Sequence, residues 1–321
     1  MMKALVTGGA GFIGSHLCEH LLEKGWQVSV IDDLSTGRRS NVAQLDGNPA
    51  FELITDTILN SPLVEKLIRS SDAIFHLAAA VGVRLIIDEP VKSIETNVEG
   101  TSIVLRHARS HGKRVLITST SEVYGKAGKV PFAEADDTVL GPTTTRRWAY
   151  AAAKTLDEFL AFAHWYETRL PVVCARLFNT VGPRQTGQYG MVIPRFVGQA
   201  LRGEPITVYG DGEQTRSFCH VMDVVTALPT LIGCEESFGK AVNIGNDEEV
   251  SINHVARRVK ELAGSSSPIV HVPYDRAYVE GFEDMMRRVP DVSLAGRLIG
   301  FKPSRSLDDI LMSVIAHARA S

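Results

Sequence analysis

The feature that most restricts this chain is a turn of glycines set between a strand-like and a helix-like run. KALVT at 3–7 is short and apolar, GGAGFIG follows at 8–14, and an amphipathic stretch extends from about Ile13 to Lys24. Backbone without Cβ can approach a pyrophosphate, whose charge then rests on the unpaired N–H groups that open the helix. The turn reads in two ways: Gly9, Gly11 and Gly14 fit G-x-G-x-x-G, while Gly8, Gly11 and Gly14 fit G-x-x-G-x-x-G. Either reading places a dinucleotide there. Asp32 closes the next strand-like run, QVSVID, about 20 residues on, where a carboxylate accepts the ribose hydroxyls of NAD and repels an added 2′-phosphate. Arg38 and Arg39 keep NADP as a minor alternative. Asp56, after a third such run, either holds the adenine edge or caps a loop.

The alternation continues along the chain. FELIT at 51–55, AIFHLA at 73–78, RVLITST at 114–120 and LPVVCARLF at 170–178 read as buried strands with helices between them. Ser61-Pro62 predicts a helix start, as N-cap followed by a first-position proline, and Gly112 ends a helix that begins near Pro90. This βαβ rhythm predicts an α/β fold, a Rossmann-type doubly wound parallel sheet. After about Arg176 the pattern turns to Gly- and Pro-spaced pieces such as GEPITVYGDGEQTR, predicting a smaller α+β lobe. The expected division is residues 1–176 for the NAD-binding domain and 177–321 mainly for substrate binding, with a cleft between the lobes.

Tyr150 and Lys154 stand at i and i+4 in RRWAYAAAKTLDEF, so a helix puts them on one face. A tyrosine of ordinary pKa, about 10, is a poor base at neutral pH; an adjacent ammonium and a positive nicotinamide favour its phenolate. Tyr150 then accepts a proton, and Thr120, at a strand end, orients the same substrate oxygen. Acids and bases are interspersed and the net charge is −3, which leaves no broad positive field for nucleic acid. No apolar run approaches the ~18 residues of a membrane span and no signal peptide is evident, so a soluble, cytoplasmic protein is expected. Cys18, Cys174, Cys219 and Cys234 form no C-x-x-C pair, and His76, His164 and His220 lack ligand spacing. No metal is expected.

With the glycine turn, Asp32, Thr120 and the Tyr150/Lys154 pair in this order, the chain resembles the extended short-chain dehydrogenase/reductases, specifically nucleotide-sugar epimerases, decarboxylases and dehydratases. TGGAGFIGSH, DDLSTG, FHLAA, STSEVYG, YAAAK, RLFNTVGPR and QTRSF all carry the resemblance, which spans the chain. It implies an NAD contact set of Gly8, Gly11, Phe12, Ile13, Gly14, Asp32, Asp33, Asp56, Leu77, Ala78, Ala79, Asn97, Tyr150 and Lys154. It implies Thr120, Ser121, Glu122, Tyr150 and Lys154 as catalytic residues. It also implies Asn179, Arg216 and Arg288 around a substrate diphosphate, and Tyr209 against the nucleotide base.

The implied chemistry begins with oxidation at C4 of a nucleotide sugar, probed next by what the 4-ketone does. Return of hydride to the other face is 4-epimerisation; a uronic acid becomes a β-keto acid and can lose carbon dioxide. Related dehydratases carry Asp-Glu where Ser121-Glu122 stand, so dehydration is disfavoured. Ser121-Glu122 resembles the decarboxylases, whereas FHLAAAVGVR resembles the 4-epimerases, and the two cues conflict. Arg184 and Arg84 could reach a C6 carboxylate, or be ordinary loop cations. The leading expectation is a UDP-sugar 4-epimerase, UDP-glucuronate ahead of UDP-glucose, with UDP-glucuronate decarboxylase as the alternative and a non-catalytic NAD sensor as a distant third. Relatives of this kind pair through two helices, which implies a homodimer through the segments near 90–110 and 147–168.

Overall fold

The computed structural model describes residues 1–80, 89–187, 191–273 and 287–320. The apolar runs form β1 (Lys3–Thr7), β2 (Gln27–Asp32), β3 (Phe51–Thr55), β4 (Ala73–His76), β5 (Arg114–Thr120) and β6 (Val172–Leu177). Short strands β7 (Thr180–Val181), β8 (Ile206–Tyr209), β9 (Thr215–Ser217) and β10 (Cys219–His220) lie outside the main sheet, which β11 (Ala241–Ile244) then rejoins. The seven-stranded sheet has the order β11-β6-β5-β4-β1-β2-β3, and every pairing in it is parallel. Near-continuous Val, Ile and Leu in β1, β5 and β6 follow from burial on both faces.

Helices α1 (Phe12–Glu23), α2 (Ser61–Arg69), α3 (Pro90–Ser110) and α4 (Trp148–Thr168) supply the crossovers of the first half. In the second half come α5 (Val192–Arg202), α6 (Val221–Gly233), α7 (Ile252–Leu262), α8 (Ser293–Ile299) and α9 (Leu307–Ala320). One sheet face packs on Leu17 and Leu21 of α1, Val224 and Leu228 of α6 and Ala295 of α8. The other packs on Val64 and Ile68 of α2, Ile103 and Val104 of α3 and Ala161 of α4. Residues after 177 therefore serve two layers. α6 and β11 complete the large sheet, while Phe196 of α5, Val208 of β8, Val259 of α7 and Ile310 of α9 form a second core. In that smaller lobe β13 (Ile269–Val272) runs parallel to β8, and β12 (Glu249–Ser251) runs antiparallel to β9.

One helix start differs from expectation. Asn60, not Ser61, caps α2: its side chain accepts from the Leu63 N–H at 3.5 Å, and Ser61 is already helical. An amide oxygen one residue earlier reaches the orphan donor that Ser61 was expected to take. Among the described residues no helix is long and apolar enough to cross a membrane.

Strand order reverses direction between β1 and β4, since the chain proceeds outward from β1 to β3 and then returns to β4. The carboxyl ends of strands separate at such a point, leaving a crevice above it.

Candidate active site

A cleft of about 750 Å³ opens there, lined by the glycine turn, the ends of β2, β4, β5 and β6, the first turn of α4 and the smaller lobe. The turn is shaped by contacts that exclude side chains. Gly8 lies at φ +72°, and a Cβ on it would stand 2.7 Å from the Ala78 nitrogen; one on Gly14 would stand 2.2 Å from the Gly8 carbonyl oxygen. Gly9 instead packs on Val30, so Gly8, Gly11 and Gly14 make the cradle. Gly11 caps α1 without any side-chain hydrogen bond, so the helix opens onto the cleft with its first amides uncovered by side chains. This geometry fits a pyrophosphate. Phe12, Ile13, Asp33, Leu77, Ala78 and Ala79 also line the cleft.

Asp32 is buried at the cleft wall and accepts from the Ala10 N–H at 2.9 Å and the Leu34 N–H at 2.9 Å. Burial raises its pKa, against the pull of those two backbone donors. Two expected cofactor residues fall elsewhere. Asp56 is absent from the cleft lining and accepts from the Thr57 N–H at 2.7 Å and from Asn60 at 2.9 Å, so its carboxylate stiffens the turn into α2. Asn97, buried in α3, grips the Ala80 backbone at 2.7 and 3.3 Å and acts on the lining loop from behind. In each case a backbone donor close in space takes the polar group first.

At the sugar end, Thr120 accepts from the Glu122 N–H at 3.2 Å and so starts the 3-10 turn Ser121–Tyr124. Thr120, Ser121, Glu122 and Tyr150 all face the cleft. Glu122 is held by Arg288 Nη1 at 2.6 Å and Arg147 Nη2 at 3.0 Å. Burial works to raise its pKa, yet the two guanidinium groups overcome this and hold the carboxyl below its ordinary range. Arg288, expected at a diphosphate, is thus paired with Glu122. Arg147 was not foreseen, although it stands three residues before Tyr150 on the same helical face.

Lys154 does not line the cleft. It is 2% exposed and its Nζ lies 2.8 Å from Oδ2 of Asp157, which is fully buried. Tyr150 is correspondingly different from expectation: burial raises its phenol pKa, and the Glu122 and Asp157 carboxylates raise it further. The ammonium expected to favour the phenolate is matched by a carboxylate one turn away.

Arg184 touches the cleft but binds Glu19 of α1 at 2.7 and 3.0 Å and the Ser15 hydroxyl at 3.3 Å. It therefore leans on the helix of the glycine turn. Arg84 lies outside the described residues. Asn179, at φ +23°, donates to the Ser217 carbonyl at 2.9 Å and lines the cleft, as does Arg216 on β9. Tyr209 lies beneath the Arg195 guanidinium, 3.8 Å from ring centroid to Cζ. Arg195 and Gln214, which donates to the Tyr209 carbonyl at 3.0 Å, also line this end and were missed. Their signal in sequence is faint, an arginine among the polar positions of an amphipathic helix and a glutamine in a loop.

The profile of a family described as GDP-mannose 4,6 dehydratase matches residues 5–314. UDP-N-acetyl-alpha-D-glucosaminuronate decarboxylase of Bacillus cytotoxicus is 42% identical over 315 residues, covering 98% of this chain and 96% of the relative. UDP-glucuronic acid decarboxylase 1 of Xenopus tropicalis is 38% identical over 317 residues, covering 99% of this chain and 72% of the relative. Among solved structures, UDP-glucuronic acid 4-epimerase from Bacillus cereus, in complex with UDP-glucuronic acid and NAD, superposes with a TM-score of 0.89 at 28% identity over 99% of both chains.

Proposed function

Since this chain belongs to the GDP-mannose 4,6-dehydratase family of extended short-chain dehydrogenase/reductases, we propose that it is an NAD-dependent decarboxylase of a UDP-linked uronic acid. What supports this reading over 4-epimerisation is similarity along nearly all of this chain, 42% and 38% identity to decarboxylases against 28% to the uronate epimerase. The expectation of an epimerase accordingly moves to second place. The site chemistry is compatible with an acidic sugar: the guanidiniums of Arg147 and Arg288 both meet Glu122 in the cleft that Tyr150 lines.

Gly8, Gly11, Gly14 and Asp32 would hold NAD, which when bound accepts a hydride from C4 of the sugar. Thr120 orients the 4-hydroxyl and Tyr150 takes its proton. The resulting 4-ketone is β to the C6 carboxylate, so the C5–C6 bond can break, its electron pair forming the C4–C5 enolate as carbon dioxide leaves. The protonated Tyr150 phenol, of raised pKa, is then a hydrogen-bond donor to the enolate oxygen. The Arg147–Glu122–Arg288 cluster positions the sugar carboxylate out of water. The smaller lobe, mainly from residues 177–321, supplies Asn179, Tyr209 and Arg216 to the nucleotide and diphosphate.

Proton NMR of the purified protein with NAD and UDP-glucuronate, and in parallel UDP-N-acetylglucosaminuronate, is expected to show a decarboxylated pentose or its 4-ketone from one of them. UDP-galacturonate or its N-acetylated counterpart would move the assignment to 4-epimerase. No change in either tube would remove the uronate reading.

We also propose a homodimer through α3 and α4. Leu156, Phe159 and Tyr166 on α4 are 49%, 69% and 72% exposed, and Val91 on α3 is 66% exposed, an apolar surface flanking helices that pack on each other. Light scattering is expected to give twice the chain mass, and Phe159→Lys to give the single mass. A monomeric unaltered chain sinks this arrangement.

A further inference from the structure

Lys154 and Asp157 form a pair that the reaction as drawn does not use. Both are buried, 2.8 Å apart at i and i+3 on α4, and pointed at the sheet. Around them stand His76 of β4, Thr101 of α3, Glu158 of α4, and Cys174 and Arg176 of β6. Glu158 is committed to Arg176 at 2.7 Å, so Asp157 is the carboxylate bonded to the lysine. Near Tyr150 the charged groups are Glu122, itself paired with Arg147 and Arg288, and the Lys154–Asp157 pair one helical turn on.

The pair is also tied to the glycine turn. The Ala78 N–H donates to Thr7 Oγ1 at 3.1 Å, Thr7 Oγ1 and His76 Nδ1 are 2.8 Å apart, and His76 Nε2 and Thr101 Oγ1 are 3.1 Å apart. The Thr101 hydroxyl faces the Asp157 carboxylate. The protons along this line assign themselves: Nε2–H donates to Thr101 and Nδ1 accepts from Thr7, while Oδ1 of Asp157, beyond Thr101, has no hydrogen-bond partner. His76 stays neutral in this chain, because burial and the nearby Lys154 hold its pKa down at about 3. A fixed, uncharged line of hydrogen bonds therefore runs from the cleft loop to Thr101, beside the carboxylate.

We propose that Asp157 is a positioning residue: it anchors the Lys154 ammonium from within the protein and balances its charge, thereby setting the field felt by Tyr150. The inference rests on Tyr150 being the proton carrier. An aspartate at i+3 from the lysine, bonded to its ammonium, makes Lys154–Asp157 a net-neutral unit. Tyr150 then remains protonated until a positive cofactor arrives, which keeps the uncharged phenol as the resting form.

The test is a spectrophotometric tyrosinate titration, read as the difference between each protein and its Tyr150→Phe counterpart, which needs no sugar. Asp157→Asn removes a negative charge near the phenol, so Tyr150 is expected to ionise about one pH unit lower. The acid limb of the pH profile of turnover should move down equally, and Asp157→Glu should restore both. If Asp157→Asn does not fold, Lys154→Met/Asp157→Leu replaces the pair by apolar side chains, a change buried pairs often tolerate. Its Tyr150 is expected to titrate as in the unaltered chain, since two opposite charges leave together. An unmoved Asp157→Asn titration, or a double variant whose Tyr150 ionises about one unit higher, overturns the proposal. Absent turnover with the tyrosine shift intact would count against the proposed reaction and not against Asp157.

Discussion

Tyr150→Phe is expected to lower decarboxylation turnover about 10³-fold while leaving NAD binding within a small factor. The phenol is half-buried in the cleft, next to Glu122 and one helical turn from Lys154. Phenylalanine keeps the ring, so α4 and its packing should persist, and only the group that accepts the C4 hydroxyl proton is lost. No neighbour can substitute well. Glu122 is committed to two arginines, which hold it in its weakly basic anionic form, and Lys154 is committed to Asp157. Thr120 can orient a hydroxyl but is a far weaker base. The check is single-turnover measurement of NADH absorbance after mixing with the uronate, alongside steady-state release of carbon dioxide. A loss smaller than about tenfold would mean that another group carries the proton.

The second large effect is expected at the glycine turn. Gly14→Ala puts a Cβ 2.2 Å from the Gly8 carbonyl oxygen and 2.8 Å from the Gly9 Cα. Both obstacles are backbone, so the turn itself must move. Overpacking of this kind costs about 1–3 kcal/mol in stability, a loss of a few degrees in Tm for a chain this long. The larger consequence is local. Moving the Gly8 carbonyl shifts the loop that leads to the opening amides of α1, where the pyrophosphate charge would rest, and NAD affinity is expected to fall at least ~100-fold. Gly128→Ala is the control, because nothing lies within 4 Å of a Cβ there. Calorimetry and NAD titration of both variants decide the matter. Gly14→Ala with unaltered affinity would remove the turn from the cofactor site.

Short-range pattern carried much of the fold. β1, β2, β3 and β5 occupy the stretches that their apolar runs mark, and Gly112, at φ +60°, lies just beyond α3. These features are local because a strand or helix face is set by residues within a few positions of each other, and glycine punctuates by its own backbone freedom. The cleft residues named from motif, Gly8, Gly14, Asp32, Thr120, Glu122 and Tyr150, share one cavity for the same reason: each sits at a strand end or helix start, and a parallel sheet gathers those ends.

Partnership was not legible. Asp56, open in the sequence between an adenine ligand and a loop cap, caps the turn into α2, and Asn97, a cofactor contact only by resemblance, holds the Ala80 loop. Arg184, read as either a substrate cation or an ordinary loop cation, is bound to Glu19, and Arg288, a diphosphate ligand by resemblance, is joined by Arg147 on Glu122. The sequence by itself determined the order of elements, the glycine cradle and the helical face shared by Tyr150 and Lys154. Only the tertiary structure decided which charges meet there, and so that Lys154 faces Asp157 while Glu122 faces two arginines. The reason is that a helix or strand is chosen by neighbours along the chain, whereas a buried charge must take whichever opposite charge the packing brings within a few ångströms, however distant in sequence.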